Sequence, residues 1–221
     1  VGKEIKILLS RMLLLELRNK YTISSFFLYV LITVYLCYLS FKSIHDLTVW
    51  NALFWIILIF AASNSASRSF NSETKRRQLY QYSTVSPIAV IFSELIFNAV
   101  IIIIISFITF GFYGLFIGFK PLEGARIDIF FITLLLGGIG LSGILTLISG
   151  ISSQTGNGMG MVAILGFPLL LPLLLSLIDL SANSLRGLGW DFALQKMIVL
   201  GGINGITIAL SFLLFPYLWR E

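Results

Sequence analysis

Gly138, Gly140 and Gly143 spell G-x-G-x-x-G, the spacing that lets a backbone approach a dinucleotide pyrophosphate. The same stretch reads Gly140-Leu141-Ser142-Gly143, which offers a serine for nucleophilic attack inside a membrane helix. Each reading needs a context. The first requires a strand and a βαβ unit, and the second requires a histidine base within hydrogen-bond reach of Ser142. The surrounding run is apolar throughout, and the one histidine, His45, falls in a short connection far away in sequence. Neither chemistry is supported, and the glycines read as helix-packing positions. His45 by itself reads as a solvated loop residue rather than a haem or metal ligand. Paired carboxylates, a Cys/His cluster and a G-x-x-x-x-G-K-[ST] run do not occur, so neither a metal centre nor a P-loop for ATP is expected. The chain is not expected to be an enzyme.

The elements that hold these residues follow from composition. The 221 residues are 57% hydrophobic and 11% charged, against about 25% charged in ordinary soluble domains, which makes this an integral membrane protein. The single cysteine, Cys37, lies in an apolar run and reads as packing. Six apolar runs, near Ile23–Phe41, Val49–Ser67, Ile88–Phe110, Ile129–Ser149, Met159–Leu180 and Leu194–Leu218, approach the ~20 residues needed to cross hydrocarbon. Backbone groups in lipid must be paired within their own segment, so the expected fold is all-α and forms one transmembrane domain over residues 1–221. Before the first span, Glu4, Arg11 and Arg18 recur every seven residues opposite Ile5, Leu8, Leu9, Met12 and Leu15. That pattern predicts a helix over residues 1–22 lying in the membrane interface; the alternative is the first turns of a long first span. The N-terminal stretch carries charge throughout and lacks a small-residue cleavage site, so it is not expected to be removed as a signal peptide.

Six spans put both ends on one side. Ten of the fifteen Lys and Arg residues fall at the two ends or between residues 68 and 87, which assigns that side to the cytoplasm. The basic residues are topology determinants rather than a nucleic-acid surface. Trp50, Tyr113, Trp190 and Trp219 fall near span ends, where amphipathic rings favour the headgroup level. The segment Ser181–Gln195 reads as a connection on the opposite side with room for a short helix.

The longest charged interval between spans is RSFNSETKRRQLYQYSTVSP, residues 68–87. It opens with Phe70 and Glu73, gathers Lys75, Arg76 and Arg77, turns amphipathic with Leu79, Tyr80, Tyr82 and Val85, and ends at Pro87. Such a segment either buries its rings in a partner's groove with its charges at the rim, or lies on anionic lipid. Within the spans, Gly138, Ser142, Thr146 and Gly150 repeat every four residues, as do Gly201, Gly205 and Ala209, and both faces are expected to pack against neighbouring helices. Pro168 and Pro172 each remove a backbone donor from the fifth span, which predicts a kink, either static or part of a moving path. Asn64, Glu94, Asn98 and Asn204 are the notable polar residues of the spans. Glu94 lies about two turns from the 68–87 loop, where it can reach the interface or pair with Lys75–Arg77.

An interfacial N-terminal helix, six spans and a charged amphipathic loop between spans two and three resemble the layout of ABC-2-type exporter permeases. In detail, LLLELRNKY at 13–21, the 68–87 segment and LGFPLLLPLLL at 165–175 resemble the CcmB family, the haem-exporter B subunit of bacterial cytochrome c maturation. Many members carry an acidic-Gly pair and then L-E-x-L in the loop, where this chain has Arg76-Arg77 and then Leu79-Tyr80-Gln81-Tyr82. The resemblance implies a bacterial inner-membrane permease that forms a homodimer and binds a CcmA-type ATPase through the 68–87 loop as coupling helix. CcmC, CcmD and the haem chaperone CcmE are the further partners it implies, with ATP on the partner subunit and haem as cargo rather than a bound cofactor. The alternatives are an ABC-2 permease for a lipid or drug, and a non-transporting membrane scaffold.

Overall fold

In the computed structural model the described residues are 2–41, 44, 46–69, 86–154 and 158–218, and they are helical apart from short connections. Their helices are α1 (Gly2–Arg18), α2 (Lys20–Phe41), α3 (Leu47–Ser69), α4 (Pro87–Ile117), α5 (Ile127–Gln154), α6 (Gly158–Leu185) and α7 (Trp190–Leu218). The last six of these are long and apolar enough to cross a membrane, as the six apolar runs predict. The loop residues Phe70, Glu73, Lys75, Arg76, Arg77, Leu79, Tyr80 and Tyr82, together with His45, lie outside the described residues.

α1 and α2 do not merge into one long span. The break is at Asn19, whose N–H reaches the carbonyls of both Leu15 and Glu16, at 3.1 and 3.0 Å, and closes the last turn of α1. α1 then packs mainly against α4 rather than resting on lipid alone.

α5 is the centre of the bundle and touches α3, α4, α6 and α7. Its spanning window is 72% buried, against 11% for that of α2, which leans on α3 and α4 at the margin. The small residues of α5 permit this crowding. A side chain at Gly137 would meet the Trp55 ring at 2.9 Å, and one at Gly140 would meet Leu173 at 2.6 Å.

Two expectations are corrected at the end of the bundle where α3 begins. The segment Ser181–Gln195 is mostly helix rather than a connection, because α6 runs to Leu185, α7 starts at Trp190, and only residues 186–189 turn. Its polar residues have internal work: Ser184 Oγ donates to the Arg126 carbonyl at 2.7 Å, and the Arg126 N–H donates to the Ser184 carbonyl at 2.9 Å. Gly187 makes the turn at φ +75°, and a side chain there would meet the Gly124 carbonyl oxygen at 2.8 Å. Trp50 and Tyr113, expected at the headgroup level, are instead fully buried. They stack with Phe54, Trp55 and Phe130, and the Tyr113 hydroxyl donates to the Trp50 carbonyl at 2.9 Å. The Tyr113 hydroxyl is thus satisfied inside the bundle, whereas Trp50 Nε1 is buried without a partner among the described residues, and proximity to a span end does not separate a core ring from one at the headgroup level.

Candidate functional site

The described edges of the 68–87 loop are the last turn of α3 and the start of α4. Pro87 occupies the first turn of α4, where its missing N–H would have had no helical partner. Ser86 before it is extended, at φ −67° and ψ 136°, and its carbonyl accepts from Ala89 and Val90. The Ser86 side chain does not cap the helix. It turns to α1 and donates to Glu4 Oε2 at 2.8 Å.

Apolar contacts reinforce this junction. Leu8 of α1 is 6% exposed and packs with Ala89, Val90, Ile91 and Leu95, with Ile5 and Phe212 against the same cluster. The rings of Phe92 and Phe212 lie 4.9 Å apart, so α7 reaches the same place. The chain leaving the loop thus enters a helix tied at once to α1 and α7. Glu4 belongs to the polar stripe of α1, but nothing local pairs it with Ser86, because a contact over such a separation depends on how α1 folds back.

Farther along α4 the expected packing stripe is in place. Ser142 Oγ donates to the Leu95 carbonyl at 3.0 Å, and Asn98 Nδ2 donates to Thr146 Oγ1 at 2.9 Å. Gly138 brings α5 so close that a side chain would meet Ile103 at 2.7 Å. Gly138, Ser142 and Thr146 are therefore packing residues on the α4 face of α5, and Ser142 has a carbonyl for a partner rather than a base. Asn98, one of the expected intramembrane polar residues, is buried in this seam, while Asn64 and Glu94 are half-buried.

Among the described residues nothing packs on the second small-residue stripe, which corrects the expectation for that face. Gly201 and Gly205 are exposed, and a side chain at either would meet nothing within 4 Å. Small residues at i, i+4 and i+8 mark a face that permits close approach without saying that a partner within the same chain supplies it. Asn204, between them in sequence, points the other way and donates to the Leu136 carbonyl at 3.1 Å. Pro168 and Pro172 are exposed, and α6 continues as helix through both.

Sequence reasoning missed a polar clamp between α3 and α6. Asn51 Nδ2 donates to the Ile178 carbonyl at 2.9 Å, and Trp55 Nε1 donates to Ser181 Oγ at 2.8 Å. Ser181 Oγ in turn lies 2.8 Å from Asn51 Oδ1 and 2.7 Å from the Leu177 carbonyl, which compete for its one proton. Ser181 reads from the sequence as part of a connection and Asn51 carries no signal, and only the burial of both reveals the clamp.

Residues 3–217 match the family model for CcmB protein. The chain belongs to the CcmB family. No curated protein and no solved structure matches it. Membership makes it a multi-pass permease of the bacterial inner membrane, within an ABC transporter serving cytochrome c maturation. The CcmB chain is the permease subunit and not itself catalytic.

Proposed function

We propose that this permease couples ATP hydrolysis on a partner ATPase to haem export, or to release of a haem-loaded chaperone, through the loop between α3 and α4. The observation that carries the reading is the anchorage of the loop's exit. Ser86 and the first turns of α4 are tied to α1 through Glu4 and Leu8, so force applied at the loop passes to more than one helix. The α4–α5 seam continues that path into the centre of the bundle. Tyr80 and Tyr82 are the anchors in the partner's groove, since interface energy concentrates in buried aromatic residues, and Lys75, Arg76 and Arg77 meet its acidic rim. A CcmA-type subunit supplies the ATPase, the haem-handling CcmC and the small CcmD stand beside it, the haem-loaded chaperone CcmE is released at the outer face, and two copies of this chain form the permease.

The test is co-purification and reconstitution of the complex with Tyr80→Ala/Tyr82→Ala. Truncating two interface tyrosines, at over 1 kcal/mol each, should weaken ATPase binding by roughly tenfold or more and abolish its stimulation, with the bundle still folded. Unchanged ATPase binding and activity would sink the coupling assignment. Retrieval of an ATPase without haem-handling subunits would keep the permease and reopen the cargo.

A further inference from the structure

Two opposite charges stand on the outside of the bundle, within spanning helices. Lys196 Nζ of α7 donates to Asp179 Oδ2 of α6 at 2.7 Å, yet the two side chains remain 41% and 61% exposed. Asp179 lies six residues before the end of α6 at Leu185, and Lys196 six residues after the start of α7 at Trp190. At 1.5 Å per residue both sit about 9 Å in from the turn that joins the helices, so they share one depth. The other charged residues of the described spans are placed differently: Asp128 and Asp191 occupy first turns, and Glu94 is half-buried.

Hydrocarbon does not complement such a pair. A lysine can stretch to the headgroups along its own stem, whereas the short aspartate side chain cannot. Ionisable residues within spans are costly against lipid and face protein or water instead. A positive and a negative group side by side at one depth are complemented by a negative and a positive group at that same depth. A second copy of this chain presents that pattern. Two copies inserted with the same topology are related by a two-fold axis along the membrane normal, which keeps every residue at its own depth and sets one surface patch against itself. With the axis in front of the furrow between α6 and α7, Asp179 of each copy faces Lys196 of the other, and four charges alternate in sign around one layer. About one turn deeper, Leu175 and Val199, 66% and 48% exposed, face each other across the axis in the same way and add apolar contact. We infer that the α6–α7 furrow is the surface through which two copies of this chain associate, with the Asp179–Lys196 pair as its polar layer. α2, the least enclosed span, exposes Leu28, Ile32, Leu36 and Leu39 and carries no charge in its spanning window, a surface suited to lipid. The inference rests on the reading that two copies form the permease, and it names the face they share.

The test is co-expression of two differently tagged copies with their accompanying subunits, followed by capture on one tag and then the other. Asp179→Lys gives a copy with two positive charges in the layer, and Lys196→Asp a copy with two negative ones. Both variants lose the bond within the chain, so pairing between copies is what remains to favour association. Each variant alone should self-associate on the order of tenfold less than wild type, whereas the two expressed together should form the mixed pair in roughly tenfold excess over either like pair. Self-association of each variant equal to wild type, or a mixed pair no commoner than chance, would overturn this interface and leave dimerisation itself standing. A monomeric wild type would overturn the interface together with the dimeric reading. Should charge reversal prevent folding, Leu175→Cys on one tagged copy and Val199→Cys on the other, both with Cys37→Ala, should form an oxidative cross-link between the tags. A yield no higher than that from Leu28→Cys and Leu36→Cys on α2 would equally overturn it.

Discussion

Where α3 begins, Trp50, Phe54 and Trp55 are fully buried against Tyr113 and Phe130, whereas near the loop the same helix buries Ala61, Ala62, Ser65 and Ala66. The aromatic end is further tied by the Asn51–Ser181–Trp55 clamp and by the reciprocal bonds of Arg126 and Ser184. The loop end has lighter links, such as the 3.4 Å contact from Ser149 Oγ to the Ala66 carbonyl. Large interlocked rings hold one packing arrangement, while small residues allow helices to slide past one another by the short distances typical of shear. The difference teaches where a helix is held: the aromatic end is interlocked and the end next to the 68–87 loop packs through small residues, so under the proposed coupling the first serves as fulcrum and the second as lever.

The comparison can be broken most directly at the fulcrum. Trp55→Ala removes a buried ring and its bond to Ser181, and should lower stability by about 3–5 kcal/mol, read as thermal unfolding in detergent. A loss under 1 kcal/mol would mean that the aromatic cluster is not what fixes this end. The next effect lies at the centre, where Gly138→Leu forces a side chain into Ile103 and should cost about 1–3 kcal/mol. Wild-type stability and ATPase stimulation in that variant would show that α4 and α5 separate freely. A smaller effect belongs to the polar seam: a double-mutant cycle on Asn98→Leu and Thr146→Val should give a coupling of about 0.6 kcal/mol and not above ~1.7. A coupling of zero would remove the seam from the lever. Smallest of all, Gly205→Leu should change the stability of the isolated chain by no more than about 0.5–1 kcal/mol, and in the stabilising direction, since Leu favours helix and the site is open. A marked loss of stability in the isolated chain would contradict the outward face of α7.

Much of the fold was legible because lipid narrows the choices. A run as apolar as Ile88–Phe110 has to be a helix, and its extension to Ile117 alters a boundary without altering the reading. The stripe of Gly138, Ser142 and Thr146 was legible as a packing face for the same reason that Gly201 and Gly205 misled: the pattern records closeness and not the identity of what comes close. Trp50 and Tyr113 misled because an aromatic ring with one polar atom suits both a headgroup layer and a core. Of the candidate site, the sequence displayed Glu4 and the 68–87 loop but not the contact of Glu4 with Ser86 at the loop's exit. The Glu4–Ser86 bond arises only when α1 lies along α4, and no periodicity encodes that angle.

The central position of α5 also bears on how the protein is made. Its spanning window is the most enclosed of the six, yet it is apolar enough to enter a bilayer unaided. The residues that later enclose it include α6 and α7, which follow it in the chain. During synthesis α5 therefore waits beside α4, with the faces that α6 and α7 later cover turned to hydrocarbon. Its hydroxyls have partners ready before α6 emerges: Thr133 donates back to the Ile129 carbonyl of its own helix, Ser142 donates to the Leu95 carbonyl of α4, and Thr146 accepts from Asn98 of α4. Insertion can precede assembly without stranding those hydroxyls, because α4 is in the chain before α6 and α7 follow.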